Sequence, residues 1–103
     1  MVKKISGNEF NEVKVAKLAV VDFSATWCEP CKMLAPVLEE VSEEFGEIAE
    51  FYNIDVDENV DVAEQFGVTN IPALVVLKAG EKVDMQVGFQ PKVVIEKIIK
   101  KQV

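Results

Sequence analysis

Trp27-Cys28-Glu29-Pro30-Cys31 decides how the rest of the chain is read, because it holds both cysteines and joins a strand to a helix. The run Leu18-Ala19-Val20-Val21-Asp22-Phe23 leads into it, and the amphipathic run from Lys32 to Phe45 leads out. Two residues between the cysteines let both sulfurs face each other across the first turn of a helix. There the unpaired backbone N–H groups and the helix dipole favour a thiolate. The thiolate is the reactive form of cysteine, and helix N-termini and C-x-x-C pairs lower the thiol pKa below its free value of about 8.5. One helical turn thus offers an attacking sulfur and a resolving sulfur.

Three other uses of the pair compete with this one. A structural zinc site wants four ligands, usually Cys and His, and this chain has two Cys and no His. Asp or Glu could complete such a set, but nothing in the sequence places them. A purely structural disulfide would close so short a loop that the unfolded chain would lose little entropy, and its stabilising value would be small. Two cysteines meeting by chance in a core is the plainest alternative. A C-x-x-C beside a βαβ pattern favours redox chemistry over all three.

The whole chain sets further bounds. Its 103 residues fit a single domain, 1–103, large enough for a core without staples. Half the residues are apolar and 28% are charged, as in ordinary soluble globular proteins. The 18 acidic residues against 11 basic ones give a formal charge of −7, which argues against nucleic acid as a partner. Met1-Val2-Lys3-Lys4-Ile5-Ser6-Gly7-Asn8-Glu9 has two lysines but no apolar stretch after them, so it does not read as a signal peptide. No apolar run approaches the ~20 residues that span a bilayer. A cytoplasmic monomer with no membrane partner is the expectation, and in that compartment a dithiol is more often catalytic than structural.

Periodicity places the elements. A short strand is expected near Val2–Ile5 and a helix from about Asn8 to Lys14, with Asn8 as N-cap. Leu18–Phe23 reads as a strand buried on both faces. The following helix carries Met33, Leu34, Val37, Leu38, Val41 and Phe45 on one side and Glu39, Glu40, Glu43 and Glu44 outside, with a bend expected at Pro36. Glu50–Asp55 is a third strand, and a helix from about Asn59 to Phe66 is closed by Gly67. Ala73–Lys78 and Lys82–Val87 form a hairpin around Ala79-Gly80-Glu81. In its second strand Val83, Met85 and Val87 alternate with Lys82, Asp84 and Gln86, so one face is wet. Pro91 opens a last helix with Val94, Ile95, Ile98 and Ile99 on its apolar side and Lys97, Lys100 and Lys101 near its end. The order is βαβαβαββα.

This order together with the motif resembles the thioredoxin family over nearly the entire chain. The resemblance is carried by Val21-Asp22-Phe23-Ser24-Ala25-Thr26-Trp27-Cys28, Pro30-Cys31-Lys32-Met33 and Ala35-Pro36. It continues in Asn53-Ile54-Asp55-Val56-Asp57, Val68-Thr69-Asn70-Ile71-Pro72, Gly80 and Val87-Gly88. The C-x-x-C alone is moderately specific; joined to an upstream Asp in an apolar strand and a downstream Ile-Pro it is highly specific. The implied fold is α/β, a central mixed five-stranded sheet flanked by four helices. The implied active site follows the second strand.

The resemblance implies thiol–disulfide exchange. Cys28 would attack a disulfide of a client protein, and Cys31, one turn into the helix and facing inward, would resolve the mixed disulfide. Cys28 is expected at the exposed tip. Asp22 interrupts an apolar strand, so burial should raise its pKa, and the matching Asp of the family relays a proton to or from the buried cysteine. Many family members place a Lys beside that Asp on the third strand; the matching position here is Phe51. Pro72 would be cis and lie against the cysteines, with the Ile71 backbone pairing with an extended client segment. Trp27 and Gly88 would flank the same groove, Gly88 allowing a client backbone close approach. Pro30 would stiffen the first turn, and Lys32 reads as a solvated charge. Glu29 is the clearest departure, standing where thioredoxins most often carry Gly. Its charge should raise the Cys28 pKa by roughly half to one unit, or else it serves partner choice.

The function expected is reduction of disulfides in client proteins, with recharging by a thioredoxin reductase and no metal or organic cofactor. A specialised donor to one reductase or peroxidase pathway is a second enzymatic reading. A redox-inert binding subunit would have no need of both cysteines, and a disulfide-forming oxidant would suit an exported protein.

Overall fold

Strand β2 (Leu18–Ser24) is the spine of the molecule, and every residue from Leu18 to Phe23 is buried. A strand covered on both faces needs neighbours on both edges and helices above and below. The computed structural model, which describes residues 1–103, supplies them. The sheet order is β1 (Val2–Ile5), β3 (Glu50–Asp55), β2, β4 (Ala73–Lys78) and β5 (Glu81–Val87). β3 runs parallel to β1 and to β2, whereas β4 is antiparallel to β2 and to β5. The helices are α1 (Phe10–Val15), α2 (Glu29–Phe45), α3 (Val60–Gln65) and α4 (Lys92–Lys101). The mixed five-stranded sheet, the four helices and their order are those expected.

Alternation along β2 divides the interior into two cores. Ala19, Val21 and Phe23 point to one face, where Phe10 and Val13 of α1, Ala63 of α3 and Phe66 cover them. Leu18 and Val20 point to the other, against Leu34, Leu38 and Val41 of α2 and Ile95, Ile98 and Ile99 of α4. A large apolar side chain buried in this way contributes about 1.5–3 kcal/mol. Asp22 shares the parity of Leu18 and Val20, so the second core is the one broken by a carboxylate. Two ion pairs from Lys92 to Glu40 at 2.9 Å and Glu44 at 2.7 Å tie α4 to α2 across its rim.

Several local expectations are corrected. Asn8 does not cap a helix; it lies inside a 3-10 turn, Gly7–Glu9, that precedes α1. The chain is still extended at Ser6, whose N–H donates to Glu9 Oε1 at 3.0 Å while the Glu9 N–H donates to Ser6 O at 3.0 Å, so the turn starts two residues earlier. Pro91 is the N-cap of α4 rather than its first residue, with extended ψ of 158° and its carbonyl accepting from the N–H groups of Val94 and Ile95. The hairpin loop is a two-residue turn, Ala79-Gly80, both at positive φ (51° and 83°), because Glu81 already pairs with Lys78. A two-residue turn with both φ positive matches the right-handed twist of the flanking strands. A Cβ at Gly80 would lie 2.8 Å from the Lys14 carbonyl oxygen, so the turn needs glycine.

β5 does not alternate throughout. Its register slips at Val83, since Asp84 pairs with Val76 but Lys82 pairs with Leu77. The bulge carries Lys82 to the side of Met85, where its ammonium donates to the Phe66 carbonyl at 2.9 Å, and leaves Val83 exposed. Phe66 is the C-cap of α3, and Gly67 follows it at φ +71°, as expected of a helix-ending glycine.

Candidate active site

β2 ends at Ser24, and a short bend delivers Cys28 to the N-cap of α2. Its backbone is extended (φ −91°, ψ 111°), and its Sγ accepts the Cys31 N–H at 3.3 Å. An N-cap is usually Ser, Thr, Asp or Asn because an oxygen there satisfies an orphan N–H. Here sulfur does so, and a charged sulfur would do so better. Pro30 sits in the first turn, where its missing N–H costs nothing. Cys28 and Cys31 are joined by a disulfide, their Cα atoms 5.2 Å apart.

Cys28 is not an exposed tip. It is 5% exposed and Cys31 4%, because Ala25, Val56 and Ile71 close over the pair. Residue burial therefore does not distinguish the two cysteines. Backbone position does: Cys28 caps the helix, whereas Cys31 lies inside it and lines a pocket of about 220 Å³ with Asp22, Ser24, Lys32 and Asn53.

Asp22 is 1% exposed. Burial pushes its carboxyl up from 3.8 to about 6, and a hydrogen bond from Asn53 opposes part of that rise. The Asn53 Nδ2 donates to Asp22 Oδ2 at 3.2 Å and to Ser24 Oγ at 2.8 Å. Asp22 Oδ1 has no protein partner. The residue beside Asp22 on β3 is thus Asn53, its register partner, while Phe51 stands opposite Val20 inside the second core. The sequence marked Asn53 as part of the resemblance but gave it no role. A polar residue between Tyr52 and Ile54, in register with a polar break on the next strand, was the available signal.

The Ile71-Pro72 bond is cis. Ile71 packs on the cysteine cluster, and the Pro72 carbonyl accepts the Gly88 N–H at 2.7 Å, so Gly88 is tied to the same corner. Gly88 has φ +94° and no atom within 4 Å of where a Cβ would stand, leaving open space beside its backbone. Trp27 is 66% exposed rather than part of the core, and its Nε1–H donates to Asp57 Oδ2 at 2.7 Å. Asp57 belongs to the loop after β3, whose backbone is turned by Asp55 Oδ1 accepting the N–H groups of Asp57 and Glu58. Nothing in the sequence signalled this anchor, since it joins residues 30 apart through an irregular loop.

Glu29 and Lys32 form an ion pair at 3.2 Å on the exposed first turn of α2. The charge next to Cys28 is therefore half of an exposed ion pair rather than an isolated anion.

The thioredoxin family model matches residues 1–101. This chain belongs to the thioredoxin family. It is 45% identical to a thioredoxin of Listeria monocytogenes over 103 residues, covering all of both chains. It is 43% identical to a thioredoxin of Bacillus subtilis over 100 residues, covering 97% of this chain and 96% of that one. Among solved structures, a thioredoxin of Malassezia sympodialis superposes with a TM-score of 0.90 at 37% identity, covering 99% of this chain and 90% of that one. A mutant thioredoxin from Halobacterium salinarum gives 0.88 at 34% identity, covering 97% and 90%. With its cysteine pair at the head of α2, the protein is a thiol–disulfide oxidoreductase of thioredoxin type. No helix is long and apolar enough to cross a membrane.

Proposed function

We propose that this thioredoxin reduces disulfides of client proteins in the cytoplasm as a monomer and is recharged by a thioredoxin reductase. The carrying observation is the asymmetry of the cysteine pair. Cys28 Sγ receives a backbone N–H at the helix terminus, whereas Cys31 shares its pocket with a buried carboxyl. In the reduced protein the Cys28 thiolate attacks one sulfur of a client disulfide. That bond breaks, the Cys28–client bond forms, and one client thiolate leaves and takes up a proton. Cys31 then gives its proton to Asp22, and its thiolate attacks Cys28. The Cys28–Cys31 disulfide forms as the second client thiolate departs. Two electrons have passed to the client. With its pKa at about 6, Asp22 is mostly ionised at neutral pH and able to accept that proton.

The docking surface in this reading runs from Trp27 past Ile71 and Pro72 to Gly88. An extended client segment pairs with the Ile71 backbone, passes the open side of Gly88 and rests on the Trp27 ring. The Trp27–Asp57 hydrogen bond limits the ring's freedom before binding, which lowers the entropy lost on docking.

The reading is tested with a disulfide-bonded client, NADPH and a purified bacterial thioredoxin reductase. NADPH oxidation that requires this protein, and that is lost in Cys28→Ser, is the expected result. Client reduction with dithiothreitol but no NADPH oxidation with the reductase would remove the reductase from the proposal.

A further inference from the structure

Asp22 lines the pocket that holds Cys31, and its two carboxyl oxygens are in different states. Oδ2 accepts from the Asn53 amide, and Oδ1 is buried without a protein partner. We propose that Asn53 is a positioning residue for the exchange reaction: it fixes the Asp22 carboxyl through Oδ2 and so leaves Oδ1 as the oxygen that takes the Cys31 proton. This rests on the reading above in which Asp22 accepts that proton.

The geometry around the pair leaves few other ways to hold the carboxyl. Asp22 stands between Asn53 on β3 and Leu74 on β4 in the sheet register, and Leu74 offers only apolar contact. From α2 the pocket receives Cys31, Lys32 and Ala35. Lys32 is the one cationic group among them, and its ammonium is engaged by Glu29 rather than Asp22. The residues of α4 that cover this face are Ile95, Ile98 and Ile99. The titratable groups facing Asp22 are thus Cys31 and Lys32, and its only side-chain hydrogen bond is the one from Asn53.

Asn53 is itself well braced. The same Nδ2 donates to Ser24 Oγ at 2.8 Å, and the β2–β3 ladder pairs Asp22 with Asn53 and Ser24 with Asp55. A neutral amide holds the carboxyl differently from a lysine. An ammonium would stabilise the anion strongly and draw the proton-accepting pH range down, whereas an amide fixes orientation with a weaker pull. The arrangement keeps Asp22 partly desolvated and oriented. Loss of the amide should free the carboxyl to rotate and make its anion costlier still.

The test is a titration of the Asp22 carboxyl carbon by 13C NMR in oxidised wild type and Asn53→Ala, together with the pH profile of mixed-disulfide decay. Asn53→Leu, close to Asn in size, is the second variant should the space left by alanine unfold the chain. The expected result is an upward shift of the Asp22 midpoint by half a pH unit or more. The acidic limb of the decay profile should move up with it, while the rate well above that limb falls no more than a few fold. An unmoved midpoint overturns the role of Asn53 while leaving that of Asp22, which Asp22→Asn tests separately. A midpoint that moves without the decay profile overturns proton acceptance by Asp22, and the positioning role with it.

Discussion

The two faces of the sheet carry apolar cores of nearly equal size, 13 and 12 buried residues, yet they are built to different ends. The face covered by α1 and α3 is unbroken at Ala19, Val21 and Phe23, and Phe66 closes it by packing against Phe10 at 5.1 Å and Phe23 at 6.3 Å between ring centroids. The face covered by α2 and α4 is equally apolar around Leu34 and Ile99 but is interrupted by Asp22, near the end of β2 where the active-site helix begins. Adjacent residues of one strand thus serve opposite purposes. Phe23 fills the core, whereas Asp22 puts a carboxyl of raised pKa into the strand that leads to the pocket shared with Cys31. In the proposed function, Asp22 is where stability is traded for chemistry.

The sharpest way to break this contrast is to exchange its two sides in stability measurements. Phe23→Ala should lose about 3–5 kcal/mol, because its ring is fully buried and the space left cannot collapse against neighbouring strands. Denaturant unfolding of the oxidised protein reads this directly, and a loss below 1 kcal/mol would mean that the dry core is looser than described. Asp22→Asn should move in the other direction. Because folding raises the carboxyl from 3.8 to about 6, the native state holds a proton that the unfolded chain has released between those values. Stability therefore falls as pH rises through that window and levels off above it, a cost of about 2–3 kcal/mol. The Asn variant should gain roughly that amount at pH 8 and almost nothing at pH 3. A gain that is the same at both values would locate the effect in packing rather than charge.

The smallest effect belongs to the rim of the second face. Glu29→Gln should lower the Cys28 titration midpoint, followed by thiolate absorbance at low salt, by less than about half a pH unit, because Lys32 already offsets the glutamate. A larger drop would show that the ion pair does not form in solution.

How far the sequence reveals this molecule depends on the range of the interaction involved. The apolar run of β2, the side of α2 and the motif between them are local patterns with fixed periods, and they place every strand and helix. The errors lie where a few hydrogen bonds choose between near-equal local arrangements: Ser6 and Glu9 at the first turn, the Pro91 cap, and the bulge that brings Lys82 to the Phe66 carbonyl. At the site, Cys28, Cys31 and Asp22 are legible because each breaks a pattern. Burial of Cys28 is not, because Val56 and Ile71 arrive from distant segments. The same holds for the hydrogen-bond partners of Asp22 and Trp27, namely Asn53 across the sheet and Asp57 in a loop.

The central claim is that helix position divides the labour between two equally buried cysteines. It is tested most directly by mixing Cys31→Ser and Cys28→Ser separately with a disulfide-bonded client and resolving the products by non-reducing electrophoresis. The expected outcome is a stable mixed disulfide with Cys31→Ser, in which Cys28 attacks and nothing resolves, and none with Cys28→Ser. Equal trapping by both variants, or trapping by Cys28→Ser alone, would contradict it.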